Sequence, residues 1–158
     1  MKSLGIRVVG EEINLSIADK ENEKIILEKI ILPPLFHFPK KLKYLRFNLI
    51  DIFSEYSISY VSIKTIEYNA KSIDVKRCFI EGVIQEALAT SEIQKYTIEN
   101  LKGLAKKLNL TTKEYKNLLK NQEYFIKYIN EKSFIVDKTN ETKREAVLLS
   151  LSNILENK

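Results

Sequence analysis

The sequence predicts a single α/β domain over residues 1–158, built on a mixed five-stranded sheet with helices on both faces. Three observations predict it. The first thirty residues alternate apolar and polar positions and are broken by two short polar connections, which is the pattern of an antiparallel meander. Beyond Pro33-Pro34, helical and strand periodicities alternate, which is how parallel strands with crossover helices read in sequence. A chain of 158 residues that is 44 % apolar and 30 % charged can bury one substantial core.

Each element has its own warrant. Residues 3–9 are an apolar strand, followed by the short connection Gly10-Glu11-Glu12. Ile13, Leu15 and Ile17 then alternate with Asn14, Ser16 and Ala18, as in a half-buried strand. After the polar turn at residues 19–23, the isoleucine-rich run Lys24 to Leu32 predicts a third strand. Pro39 suits the first turn of a helix whose Leu42, Leu45, Leu49, Ile52 and Phe53 share one face. Ile58 to Ile66 reads as the fourth strand and ends at Glu67. Asp74 is placed to cap a second helix with an inward stripe of Phe79, Val83, Ile84, Ala87 and Leu88. Residues 93–97 predict a fifth strand, and Asn100 to Leu108 a lysine-rich helix. Thr111 and Glu114 form a capping box for a further helix carrying Tyr115, Leu118, Leu119, Ile126 and Ile129 inward, with a break at Asn121-Gln122. Residues 133–136 read as an extra strand or a docked loop. Thr139 or Asn140 then caps a last helix that turns Val147, Leu148, Leu151, Ile154 and Leu155 inward.

Composition excludes several functions. No apolar run approaches the roughly 18 residues that span a bilayer, and the chain starts without a signal-peptide pattern. The lone Cys78 permits no internal disulfide, so a cytoplasmic protein without membrane association is expected. His37 is the only histidine, which removes histidine-based metal sites and Ser-His-Asp catalysis within one subunit. Zinc spacing and glycine-rich phosphate loops are also missing. The net charge of +5 and pI of about 9.1 favour polyanion binding mildly.

Four segments carry a resemblance. Leu4-Gly5-Ile6-Arg7 opens the first strand, and Ser62-Ile63-Lys64-Thr65-Ile66-Glu67 ends the fourth. Arg77 to Ala87, containing Glu81-Gly82-Val83-Ile84-Gln85, forms the following helix, and Thr142-Lys143-Arg144-Glu145-Ala146-Val147-Leu148 begins the last. In this order they resemble the ribonuclease-H-like superfamily, and within it the RuvC-type Holliday-junction resolvases. They also resemble a group of short uncharacterised bacterial proteins in that superfamily. The resemblance implies a bacterial or phage origin and a site where carboxylates converge on Mg²⁺ to cleave phosphodiesters. By position Glu67 matches the second acid and Glu145 the last. Arg7 stands where the resemblance has its first acid, and Thr142, with Glu141 beside it, stands at the third.

An arginine stays protonated, so Arg7 brings a fixed cation to a position that would hold a divalent ion. Two unit charges about 4 Å apart interact by roughly 4 kcal/mol at an effective dielectric near 20, and a divalent ion doubles that. The expectation is a degenerate site in which Arg7 pairs with Glu67, no metal or other cofactor is needed, and the protein does not cleave. The alternative is an active Mg²⁺-dependent endonuclease using Glu67 and Glu145, with Glu11 or Glu12 as substitute acid. Read without the resemblance, Glu67 is a solvated residue after a buried strand, and Glu145 an acid favoured by the helix dipole.

Lys64, Lys71, Lys76 and Arg77 flank Glu67, and Lys143 and Arg144 flank Glu145, as phosphate contacts for DNA or RNA would. Tyr68 is placed to stack on a base. Lys102, Lys106, Lys107, Lys113, Lys116 and Lys120 form a second basic set, read more simply as a solvated face. A protein partner is the third reading, as an adaptor, and the resemblance implies a homodimer.

Overall fold

The computed structural model describes residues 1–67 and 71–156. The meander forms as expected: β1 (Lys2–Val9), β2 (Glu12–Asp19) and β3 (Lys24–Ile31) pair antiparallel in sequence. Gly10 takes φ of 58° in the first turn, a left-handed conformation in which glycine meets no Cβ penalty. Helix α1 (Phe38–Glu55) crosses to β4 (Tyr60–Lys64), which lies parallel to β1. Helix α2 (Val75–Thr90) then leads to β5 (Lys95–Glu99), parallel to β4. The sheet order is β3-β2-β1-β4-β5. Four helices follow: α3 (Leu101–Lys107), α4 (Thr112–Lys120), α5 (Gln122–Glu131) and α6 (Glu141–Glu156).

The two sheet faces differ in chemistry. One carries Leu4, Ile6, Val8, Leu15, Val61 and Ile63 against the inner residues of α1 and α2, a continuous apolar core. The other lies under α6 and is made of small and polar residues. Ser16 meets Ser150 (3.0 Å), Ser62 donates to Asn153 Oδ1 (3.1 Å), and Asn153 Nδ2 donates to Ser3 (2.9 Å). Gly5 sits at the centre of that face, where a Cβ would lie 2.0 Å from the Ala146 carbonyl oxygen. Glycine is therefore what lets α6 rest directly on β1. On its far side α6 packs against α3 and α4, so every residue from Arg144 to Ile154 is buried. The sequence pattern identifies the apolar inward residues of α6 but not Ser150, Ser152 and Asn153, which are buried because the helix is enclosed on both sides.

Several boundaries move for identifiable reasons. Strand β4 is shorter than residues 58–66, because its pairing with β1 ends at Arg7–Lys64 and the Ile66 N–H turns to the Glu81 carboxylate (3.0 Å). Strand β5 lies two residues later than expected. The buried stripe of α2 is Ile80, Glu81, Ile84, Ala87 and Leu88, whereas Phe79 is 56 % exposed and packs edge-on against Phe38. Residues 133–136 form a docked loop, with Ile25 N–H donating to Ile135 O and Ile135 N–H to Glu23 O, each at 3.2 Å.

Two caps behave as read: the Asp74 side chain accepts from Arg77 N, and Thr111 and Glu114 form a reciprocal capping box. Asn121, read as a break, also caps α5. Thr111→Ala is expected to lose about 1 kcal/mol, seen as a lower urea midpoint at unchanged slope.

Candidate functional site

The site forms where the C-terminal ends of β1 and β4 meet the first turns of α6. Arg7 and Lys64 are register neighbours on these parallel strands, two like charges side by side on the face under α6. Gly5, two residues before Arg7, brings α6 close enough for Glu145 to lie over both. The Arg7 Nε donates to Glu145 Oε2, and Lys64 Nζ donates to Glu145 Oε1 at 2.7 Å. Tyr115 of α4 donates its hydroxyl to the same Oε1 at 3.1 Å. Arg7 Nη1 also reaches the Val8 carbonyl oxygen at 3.1 Å. Asn14, opposite Arg7 in the β1–β2 register, has a buried side-chain oxygen without a hydrogen-bond partner among the described residues.

Burial is deep enough to make these charges matter. The side chains of Arg7, Lys64 and Glu145 are 16 %, 13 % and 7 % exposed. Burial pushes the Glu145 carboxyl up, but the Arg7 and Lys64 charges and their hydrogen bonds outweigh it and hold the group below its ordinary value. Burial first, and the Glu145 charge second, push the Tyr115 phenol up, so it stays a neutral donor. The cluster thus holds two cations and one anion.

This arrangement corrects the expected pairing. Arg7 enters a salt bridge, but its partner is Glu145. Glu67 lies beyond the end of β4, and its carboxylate accepts from Leu101 N–H at the start of α3 (3.3 Å). Thr142 is half-buried at the start of α6, one turn before Glu145 on the chain, and Glu141 is exposed. Glu11 and Glu12, the substitute acids, pair with Lys41 (2.6 Å) and Lys29 (3.3 Å).

A divalent cation does not suit this donor set. Both oxygens of Glu145 already face cations, and among the described residues no three His, Cys, Asp or Glu side chains converge to hold a metal.

The residues predicted to contact phosphate divide into two groups. Lys71 and Lys76 are exposed and Lys143 is half-buried. The others are committed inside the protein. Lys64 belongs to the cluster, and Arg77 pairs with the buried Glu81 at 2.6 Å. Arg144 is buried and donates to Leu119 O (2.7 Å), Thr139 O (2.8 Å) and Gln122 Oε1 (2.9 Å), tying α6 to the end of α4. Arg144 is therefore not on the surface on which it was expected. Tyr68 lies outside the described residues. In the second basic set Lys107 pairs with Glu99 and Glu156, while Lys102, Lys106, Lys113, Lys116 and Lys120 are exposed. Sequence reasoning missed Tyr115 as a site residue, because its helical spacing marks it only as core.

A five-stranded mixed sheet in the order β3-β2-β1-β4-β5, with α6 laid across the ends of β1 and β4, is a ribonuclease-H-like arrangement. No protein-family profile matches the chain, and no curated protein matches it in sequence. Solved structures do match. The Thermus thermophilus RuvC structure aligns with a TM-score of 0.72 at 11 % identity, over 99 % of this chain and 95 % of that one. T. thermophilus RuvC in complex with a Holliday junction substrate gives 0.70 at 10 % identity, with the same coverage of 99 % and 95 %. The yeast mitochondrial Holliday junction resolvase Ydc2 gives 0.56 at 13 % identity, over 98 % of this chain and 77 % of that one. The chain has a ribonuclease-H-like fold similar to that of RuvC-type resolvases. Among the described residues no helix is long and apolar enough to cross a membrane.

Proposed function

We propose that this protein is a non-cleaving relative of the resolvases, cytoplasmic and bacterial or phage in origin, that binds branched nucleic acid. The observation that carries the proposal is the buried Arg7–Glu145–Lys64 cluster at the strand ends, where a metal-dependent nuclease would need converging carboxylates. It keeps the sheet ends and α6 locked together through a carboxylate held by two side-chain cations. It also leaves one surplus positive charge at the place where a phosphodiester would approach, with Lys71, Lys76 and Lys143 nearby in sequence to add to the field. The likeness to RuvC bound to a Holliday junction, over nearly the whole chain, supports a four-way junction as ligand. A two-fold dimer would suit such a branched substrate.

The test measures binding and cleavage together. A labelled four-way junction should bind more tightly than a linear duplex, with affinity falling steeply between about 50 and about 200 mM salt. Replacing Lys71, Lys76 and Lys143 by alanine should reduce the slope of log affinity against log salt by about one per phosphate contact removed. The junction should remain intact in Mg²⁺ or Mn²⁺. Cleavage that disappears in Glu67→Ala would instead establish the nuclease. Binding that is absent, or indifferent to salt, would favour a protein-binding adaptor. Thermal melting adds a separate check: Mg²⁺ should leave wild type unmoved and stabilise Arg7→Asp, which removes the competing cation.

A further inference from the structure

On the opposite side of the sheet from the Arg7 cluster, the outer face of α1 carries apolar surface that the core does not use. Phe47 is 51 % exposed, Tyr44 36 %, and Leu35, just before the helix, 99 %. Phe36, Tyr44 and Phe47 line a cleft of about 520 Å³ together with Lys40 and Lys43. That is room for one or two large side chains, within the range of ordinary binding pockets. Phe36 and Tyr44 pack edge to face at 6.1 Å along one side of the cleft.

The charges around the cleft have one sign. Lys40 Nζ lies 4.2 Å from the centre of the Phe36 ring, and Lys43 Nζ lies 5.8 Å from that of Phe47. Neither ammonium has a carboxylate partner among the described residues. By contrast Lys41, on the inward side of the same helix, pairs with Glu11, and Arg46 with Glu86, each at 2.6 Å.

We infer that this cleft docks an acidic segment of a partner protein, one that inserts a large apolar side chain between Phe36, Tyr44 and Phe47 while its carboxylates take Lys40 and Lys43. Two other occupants fit less well. A second copy of the chain docking cleft to cleft would set the same lysines against each other across a two-fold axis. A nucleic-acid base stacks on an open ring face, and the Lys40 ammonium lies only 4.2 Å from the centre of the Phe36 ring. Helix-in-groove recognition, with apolar anchors on one side of a peptide and acids on the other, supplies what the cleft lacks.

The experiment uses the full chain and a labelled helix-forming peptide with Leu and Phe anchors on one face and Glu on the other. Its controls are the same peptide with Lys for Glu, polyglutamate, and a single-stranded oligonucleotide. The acidic anchored peptide should bind saturably, and Phe47→Ala should weaken it at least tenfold. Lys40→Glu with Lys43→Glu should abolish that binding and gain the lysine peptide. The substituted positions are exposed, and circular dichroism should show an unchanged fold. Polyglutamate binding equally well would overturn the inference, since the cleft would then be irrelevant. So would oligonucleotide binding that Phe47→Ala weakens, self-association that Lys43→Glu alters, or no peptide binding at all.

Discussion

Gly5→Ala is expected to destabilise the protein by about 3 kcal/mol or more, for the addition of one methyl group. The new Cβ would lie 2.0 Å from the Ala146 carbonyl oxygen, 2.5 Å from the Ser150 nitrogen and 2.9 Å from the Leu149 Cβ. Two of these are backbone atoms of a helix, so no rotamer change can clear them. Helix α6 cannot retreat either, because α3 and α4 lie behind it and it is buried from Arg144 to Ile154. Against a total stability of roughly 5–15 kcal/mol for a domain, a loss of that size is large. Urea denaturation should show a midpoint lower by about 1–2 M at an unchanged slope. Gly82→Ala is the matched control. It sits exposed on α2 with nothing within 4 Å of its added methyl, and should gain about 0.5–1 kcal/mol of helix propensity. If both substitutions behave alike, the close approach of α6 to β1 is not what the glycine provides.

That close approach explains why the meander and caps were legible in sequence while the site pairing was not. The strands, the Thr111 capping box, the Asp74 cap and the break at Asn121 are local signals, each contained within a few residues. The partner of Arg7 depends on where a helix nearly 140 residues away crosses β1. Arg7 and Glu67 look adjacent if β4 continues to residue 66, but the ladder stops at Lys64, and Glu67 turns away to the start of α3. The same limit applied to Arg144. Beside Lys143 it reads as part of a basic surface, yet α6 has no open face in its central turns, and the guanidinium is used on the carbonyls of Leu119 and Thr139. Phe79 failed in the other direction: Ile84, Ala87 and Leu88 of the α2 stripe are buried as read, but Ile80 takes the inward place in the first turns and Phe79 lies out towards Phe38. Periodicity finds amphipathic faces well. It does not say which elements are covered twice, or on which partner a buried charge will close.

Glu145→Gln should be the most damaging change among the charged residues, with a loss of about 3–5 kcal/mol at neutral pH. The amide keeps the shape of the carboxylate but leaves Arg7 and Lys64 as uncompensated neighbours, each mostly buried. Arg7→Ala should be milder, because Lys64 and Tyr115 still serve the Glu145 carboxylate. The pH dependence distinguishes this account from simple loss of packing. The folded-state carboxyl of Glu145 titrates below its ordinary value of 4.5. As pH falls the unfolded chain therefore takes up its proton first. The contribution of the cluster is complete above about pH 4.5 and is lost as pH falls through the lower folded-state value. Wild type should accordingly lose stability more steeply than Glu145→Gln on acidification, and the two should converge at the acid end. Parallel curves would show that the ion pairs contribute nothing. Replacing Arg7, Lys64 and Glu145 together by apolar residues of similar size should recover most of the loss, since a buried ion cluster is seldom worth more than good packing. If that triple variant is stable but no longer binds a junction, the cluster is kept for its surplus cation rather than for the fold.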